Sequence, residues 1–255
     1  MSGVITAERG GRDDGPLMVL LHGLGHTAQV WRELIDLLSQ RWPGGWLAPD
    51  LPGHGRSPWL DAYSFDGMAA EVATVLPAGR PVVAVGHSMG GVVALALAAV
   101  TPEVDGVLGF GIKVAWTEDE LAAMAARAAR PPRTFDSQDE ACAAFVRFAG
   151  LDGVMSPDSQ FGRSGVVGVD GGFRLATDPR TMAVGAPDMP AMLAAARADA
   201  RVLLARGASD HMVSAEQLGA VDRDAVTVPG AGHNLHVTHP ELLLGLLDDL
   251  AAPAR

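Results

Sequence analysis

Short unbroken apolar runs alternate along this chain with longer stretches whose apolar residues recur at helical spacing. Residues 17–21 (LMVLL), 82–85, 107–111 and 202–205 have strand length and no polar interruption. A run that is apolar on both sides suits a strand covered on both faces, as in a parallel sheet between helix layers. Residues 46–48 and 225–228 read as further strands, and 4–7 as an antiparallel edge strand ahead of them. Thr27 stands where it can cap a helix that carries Val30, Trp31, Leu34, Ile35, Leu37 and Leu38 on one face. Ser64 opens a helix over 65–76, and 90–100 is apolar nearly all round, a buried helix that Pro102 helps to stop. Ser214 with Gln217, and Thr238 with Glu241, have capping-box spacing, and Pro240 suits a first helical turn. Strand–helix alternation of this kind predicts an α/β fold: a doubly wound, mostly parallel sheet flanked by helices, with right-handed crossovers.

The alternation breaks between about residues 115 and 190. Helical patterns cover 118–129 and 137–148, with capping-box spacing from Thr117 to Glu120 and from Ser137 to Glu140. A loop rich in Gly, Ser and Asp follows, then a hairpin pattern in which 166–169 and 173–176 flank Asp170-Gly171-Gly172. Residues 115–190 are therefore expected to form a cap inserted after the strand at 107–111, with 1–114 and 191–255 as the core. There is no internal repeat and no low-complexity linker.

The sharpest chemical signal is Gly86-His87-Ser88-Met89-Gly90-Gly91, which directly follows the run PVVAV and directly precedes the apolar helix. A G-x-S-x-G turn in that context lifts a serine hydroxyl from the sheet edge and aims a helix N-terminus at developing negative charge. The backbone N–H of Met89 is one expected oxyanion donor, and that of Leu24, in His22-Gly23-Leu24-Gly25-His26, the other. A serine nucleophile needs a base. Of the eight histidines, His233 lies in Gly232-His233 right after the last strand pattern, where open α/β sheets place their chemistry. His236 and His239 read as surface or helix-packing residues and His22 as structural. Asp210, in Gly207-Ala208-Ser209-Asp210 after the run at 202–205, is the expected orienting acid, and the order Ser88, Asp210, His233 suits this chemistry. In the cap, Trp116, Phe135, Phe145, Phe148, Met155 and Phe161, with His26 at the mouth, are the expected substrate-pocket residues.

Composition narrows the partners. A formal net charge of -11 argues against nucleic acid, and Arg127, Arg130 and Arg133 read as a solvated helix face. The single cysteine, Cys142, excludes an internal disulfide and a cysteine metal cluster. No run reaches the ~18 apolar residues of a membrane helix, and the first residues lack a signal-peptide pattern. The expectation is a cytoplasmic monomer or small homo-oligomer that acts on a small-molecule ester or acyl substrate, without cofactor, metal, nucleic acid or membrane.

Together these residues resemble the α/β-hydrolase superfamily, and more closely its small capped esterase-like branch. HGLG at 22–25 is similar to the oxyanion loop, GHSMGG at 86–91 to the nucleophile elbow, and Gly207–Asp210 and Gly232-His233 to the acid and base loops. Asp50-Leu51-Pro52-Gly53-His54-Gly55-Arg56-Ser57 resembles the D-x-P-G-x-G-x-S loop of this branch, read here as structural. In the family's count the strand at 107–111 is the sixth, so the cap follows strand 6. The short N-terminus leaves a seven- or eight-stranded sheet. The resemblance implies a serine hydrolase that cleaves small to medium carboxylic esters through an acyl-enzyme. Alternatives on the same triad are lactone, enol-lactone, thioester or C–C bond hydrolysis and a haloperoxidase side activity; outside catalysis, a ligand receptor.

Overall fold

The computed structural model describes residues 4–39 and 41–251. The ends of the expected core, 1–3 and 252–255, lie outside them. In chain order the elements are β1 (Ala7–Gly11), β2 (Leu17–Leu21), α1 (Arg32–Leu38), β3 (Gly45–Pro49), α2 (Phe65–Ala73), β4 (Val82–His87), α3 (Met89–Val100) and β5 (Val104–Phe110). Then come α4 (Glu118–Ala128), β6 (Thr134–Phe135), α5 (Gln138–Phe148), α6 (Gln160–Ser164), β7 (Val166–Val169), β8 (Gly172–Leu175) and α7 (Met189–Ala196). The chain closes with β9 (Arg201–Gly207), α8 (Ala215–Val221), β10 (Val226–Val228), α9 (Leu235–Thr238) and α10 (Glu241–Ala251).

The main sheet has seven strands in the order β1-β3-β2-β4-β5-β9-β10, all parallel except β1. Because side chains alternate across a strand, β2 feeds both faces at once. Leu17, Val19 and Leu21 join one core with α2, α3 and α7, while Met18 and Leu20 join another with α1 and α10. That double burial is why LMVLL carries no polar residue. Among the described residues no helix is long and apolar enough to cross a membrane.

Three local expectations need correction. The edge strand is Ala7–Gly11 rather than 4–7, paired antiparallel with β3 from Ala7 opposite Pro49 to Gly11 opposite Gly45. An edge strand is held by backbone bonds on one side, so the polar sequence AERGG serves, and Val4 is left exposed. Thr27 does not cap a helix with its side chain: it precedes a 3-10 turn at Ala28–Trp31, and its Oγ1 meets Ser164 Oγ at 2.6 Å. The Ala28 N–H donates instead to Asp50 Oδ1 at 2.8 Å. Thr238 closes α9 rather than opening α10, and its hydroxyl donates back to the Asn234 carbonyl. By contrast, Thr117–Glu120 and Ser214–Gln217 form full capping boxes.

The insertion after β5, the family's sixth strand, contains α4–α6 and a three-stranded sheet in the order β6-β8-β7, whose β7–β8 turn is the expected hairpin. Its returning leg is tied to the core by Asp178, which is 1% exposed. That carboxylate accepts from Tyr63 Oη at 2.7 Å and from Arg180 Nη2 at 2.7 Å, and the Asp178 N–H donates to Gly53 O at 2.7 Å. Burial works to raise this carboxyl, but the bonds from Arg180 and Tyr63 hold it below its ordinary range.

Candidate active site

Ser88 sits between β4 and α3 with φ 51° and ψ −118°, the one non-glycine residue at positive φ among those described. Such a conformation costs on the order of 1–3 kcal/mol and persists only where the surroundings impose it. Here they do. A Cβ on Gly86 would lie 2.2 Å from Gly90 O, and one on Gly90 would lie 2.1 Å from Leu21 O. The Ser88 N–H donates to Phe110 O at 2.8 Å, which fixes the turn against β5.

β2 and β4 are neighbours in the sheet, so the loop after Leu21 lies beside the serine turn. His22 anchors that loop. Its Nε2 accepts from the Leu51 N–H at 2.9 Å, so its proton is on Nδ1, which donates to Gly23 O at 2.8 Å. A fully buried imidazole with one donor and one acceptor used is neutral, and burial pushes its pKa down to about 3. A Cβ on Gly23 would come within 2.7 Å of His87 Nδ1, so only glycine allows this approach. Among the described residues, the Leu24 and Met89 N–H groups have no hydrogen-bond partner, and both residues line the cavity above Ser88.

Asp210 and His233 follow β9 and β10, which are also neighbours. The two loops are laced together: Ala208 N–H donates to Val228 O and Ser209 N–H to Ala231 O, each at 2.9 Å. His233 Nδ1 lies 3.1 Å from both Asp210 oxygens, and Asp210 Oδ1 also accepts from the Met212 N–H at 2.8 Å. The Asp210 side chain is fully enclosed. Burial works to raise its carboxyl, but the hydrogen bond and charge of His233, with the Met212 N–H, bring it below the ordinary range. Nδ1 bound to the carboxylate leaves Nε2 free for another partner. Among the described residues no hydrogen bond joins Ser88 Oγ to His233, but both border the same cavity.

That cavity measures about 770 Å³. Of the expected pocket residues it takes in His26, Trp116 and Phe148; a Cβ on Gly25 would strike the Phe148 ring at 2.6 Å. Phe135, Phe145, Met155 and Phe161 are not on its wall. Phe145 and Phe161 are 0% and 2% exposed and pack on the Met18–Leu20 side of the core, with Met155 against the same cluster. Phe135 is buried in the small sheet beneath Arg133. The wall is built instead by Leu121 and Met124 of α4, Met182 and Val184 of the returning leg, and Ile112, Lys113 and Met212 at strand ends. The i,i+3 spacing of Leu121 and Met124 is the sequence signal for that face. His236 is not a surface residue but fully buried.

These features define an α/β sheet with a serine turn, a histidine–carboxylate pair and free N–H groups around one cavity. The chain matches the alpha/beta hydrolase family over residues 18–246 and belongs to it. It is 30% identical to the 2-(acetamidomethylene)succinate hydrolase of Mesorhizobium japonicum, over 95% of this chain and 90% of that protein. It is 41% identical to Lipase LipV of Mycobacterium tuberculosis over 92 residues, 35% of this chain and 34% of that one. The first such curated relatives are thus matched over about a third of their length. Among solved structures, E-2-(acetamidomethylene)succinate hydrolase superposes with a TM-score of 0.75 at 28% identity, over 98% of this chain and 96% of that one.

Proposed function

We propose that this chain is a serine hydrolase that cleaves small to medium carboxylic esters through an acyl-enzyme, with Ser88, His233 and Asp210 as its triad. The observation that carries the reading is the strained Ser88 turn on the same cavity as the His233–Asp210 pair. In the first step His233 Nε2 takes the Ser88 proton as Oγ attacks the ester carbonyl. The Leu24 and Met89 N–H groups donate to the oxyanion, and Asp210 stabilises the imidazolium. His233 then protonates the leaving alcohol, and in the second step it activates the water that releases the acid. Ser88→Ala should lower kcat on a p-nitrophenyl ester by on the order of 10⁴-fold or more, with an unchanged circular dichroism spectrum. A fluorophosphonate should label the native chain and not the variant. Turnover that survives in Ser88→Ala would refute the mechanism.

A second reading concerns the substrate. A relative matched over nearly its whole length is named for a succinate derivative, and Arg127 borders the cavity, where Lys113 is paired with Glu120. The charge of Arg127 favours an acyl substrate that bears a carboxylate. If so, Arg127→Ala should raise KM for esters with a free carboxylate and leave neutral esters unchanged.

A further inference from the structure

Beside Ser88 and His233 lies a set of imidazoles that the proposed reaction leaves unused. His26 comes from the oxyanion loop, His87 precedes Ser88, and His236 lies in α9, just past His233. They are 2%, 2% and 0% exposed. One ring nitrogen from each lies within 4.8 Å of the other two. The ring centroids are 5.4 Å apart for His26 and His87, 5.8 Å for His26 and His236, and 4.3 Å for His87 and His236.

Hydrogen bonding fixes where the lone pairs are. His26 Nε2 is 2.9 Å from the Ala149 carbonyl, so it carries the proton and donates. His87 Nε2 donates in the same way to the His233 carbonyl at 3.1 Å. In each ring the lone pair is therefore left on Nδ1. Both Nδ1 atoms are buried without a partner, as are both ring nitrogens of His236. Each of the three neutral rings thus holds a lone pair without a partner, and the one N–H of His236 is the only donor of the trio not already engaged. Unmet polar atoms in a buried place call for an explanation such as an ion.

We propose that His26, His87 and His236 bind a divalent transition-metal ion of the Zn²⁺ class through neutral imidazole nitrogens. Three nitrogens with no carboxylate suit such ions and not Ca²⁺ or Mg²⁺. Tetrahedral zinc with Zn–N bonds of about 2.0–2.1 Å needs its nitrogens about 3.4 Å apart. Binding would therefore draw nitrogens now up to 4.8 Å apart closer together by as much as about 1.4 Å. His26 and His87 line the substrate cavity, which gives the ion a way in. The ligands come from the loop of one proposed oxyanion donor, from the residue before the proposed nucleophile, and from the helix after the proposed base. Occupancy therefore pulls on all three, and Zn²⁺ reversibly lowers ester turnover. Only that last effect depends on the esterase reading.

The test uses the full chain, stripped of metal with EDTA. Calorimetric titration with Zn²⁺ should give one ion per chain, and the zinc X-ray absorption edge of the loaded protein should show three imidazoles. His236→Gln and His26→Asn, checked for native circular dichroism, should weaken binding beyond the roughly 10–100-fold that loss of an outer-shell partner costs. No uptake, with an ordered water bridging the three rings in a crystal structure, would overturn the proposal. So would fewer than three imidazoles at the edge, a measurement on the native chain that stands even if both variants misfold. Undiminished binding in folded His236→Gln would overturn it as well.

Discussion

The helical arms that follow β5 meet the rest of the chain in opposite ways. α5 and α6 are rooted in the core: Phe145, Val146 and Phe161 are at most 2% exposed and share a cluster with Met18, Trp31 and Phe110. α4 has one buried residue, Ala128, and turns Leu121 and Met124 toward the cavity. Both arms are amphipathic, and both start from a serine or threonine cap. What separates them is the bulk of the apolar stripe. Phenylalanine on α5 carries enough surface to repay close packing, and Gly165 makes room for it: a Cβ there would lie 2.2 Å from the Phe145 ring. Small residues on α4 leave a gap above the sheet edge, and that gap is the cavity. One arm is foundation and the other is wall.

The largest expected effect follows from that division. Phe145→Ala should cost about 3–5 kcal/mol, since it removes a fully buried ring and leaves a hole. Met124→Ala, on the cavity wall, should stay within about 1 kcal/mol. Chemical denaturation of both variants checks this. Equal losses would break the comparison.

Acid should separate the two regions next. The core beneath the oxyanion loop contains His22 and His54, each held down to about 3 by burial. At pH 7 both are neutral folded or unfolded, and their contribution is whole. As pH falls below about 6.5, the unfolded chain takes up protons that the folded one refuses. Stability then falls by about 1.4 kcal/mol per pH unit for each histidine, down to pH about 3. α4 is pinned through Glu120, whose carboxyl is held below its ordinary value by its bonds to Lys113 and the Thr117 backbone. Its acid loss therefore comes at lower pH. Melting curves between pH 7 and 5 should show a steep fall in Tm that added salt does not reverse. A flat profile would mean that the two imidazoles are not buried neutral.

Bulk added to the wall should act on catalysis rather than folding. Met124→Trp should lower kcat/KM for longer acyl chains by about tenfold, some 1.4 kcal/mol, and spare acetyl esters. A uniform loss across chain lengths would place Met124 away from the acyl site.

These differences explain what the sequence does and does not disclose. The buried strands are legible because double burial forbids polar residues, and the serine turn because two close backbone approaches require glycine. The loops of Asp210 and His233 are legible because each directly follows an apolar run. β1 is hidden because an edge strand pairs through its backbone whatever its side chains. Aromatic content does not say which face of a helix meets the core, and Phe135, Phe145, Met155 and Phe161 pack away from the cavity. The histidine cluster escapes for another reason: its members lie in the loop after β2, at the end of β4 and in α9, which only the folded sheet brings together.

The smallest effect concerns what holds the α4 wall in place. Lys113 Nζ lies 2.7 Å from Glu120 Oε1 and 5.1 Å from the centre of the Trp116 ring, with the lysine 17% and the glutamate 44% exposed. Partly solvated pairs of this kind contribute little and are screened by salt. Lys113→Ala should lower Tm by less than about 3 °C, and less again in high salt. It should nonetheless shift KM, because the pair stands at the cavity rim. A larger, salt-independent drop in Tm would show α4 to be as firmly rooted as α5, and the contrast between foundation and wall would fail.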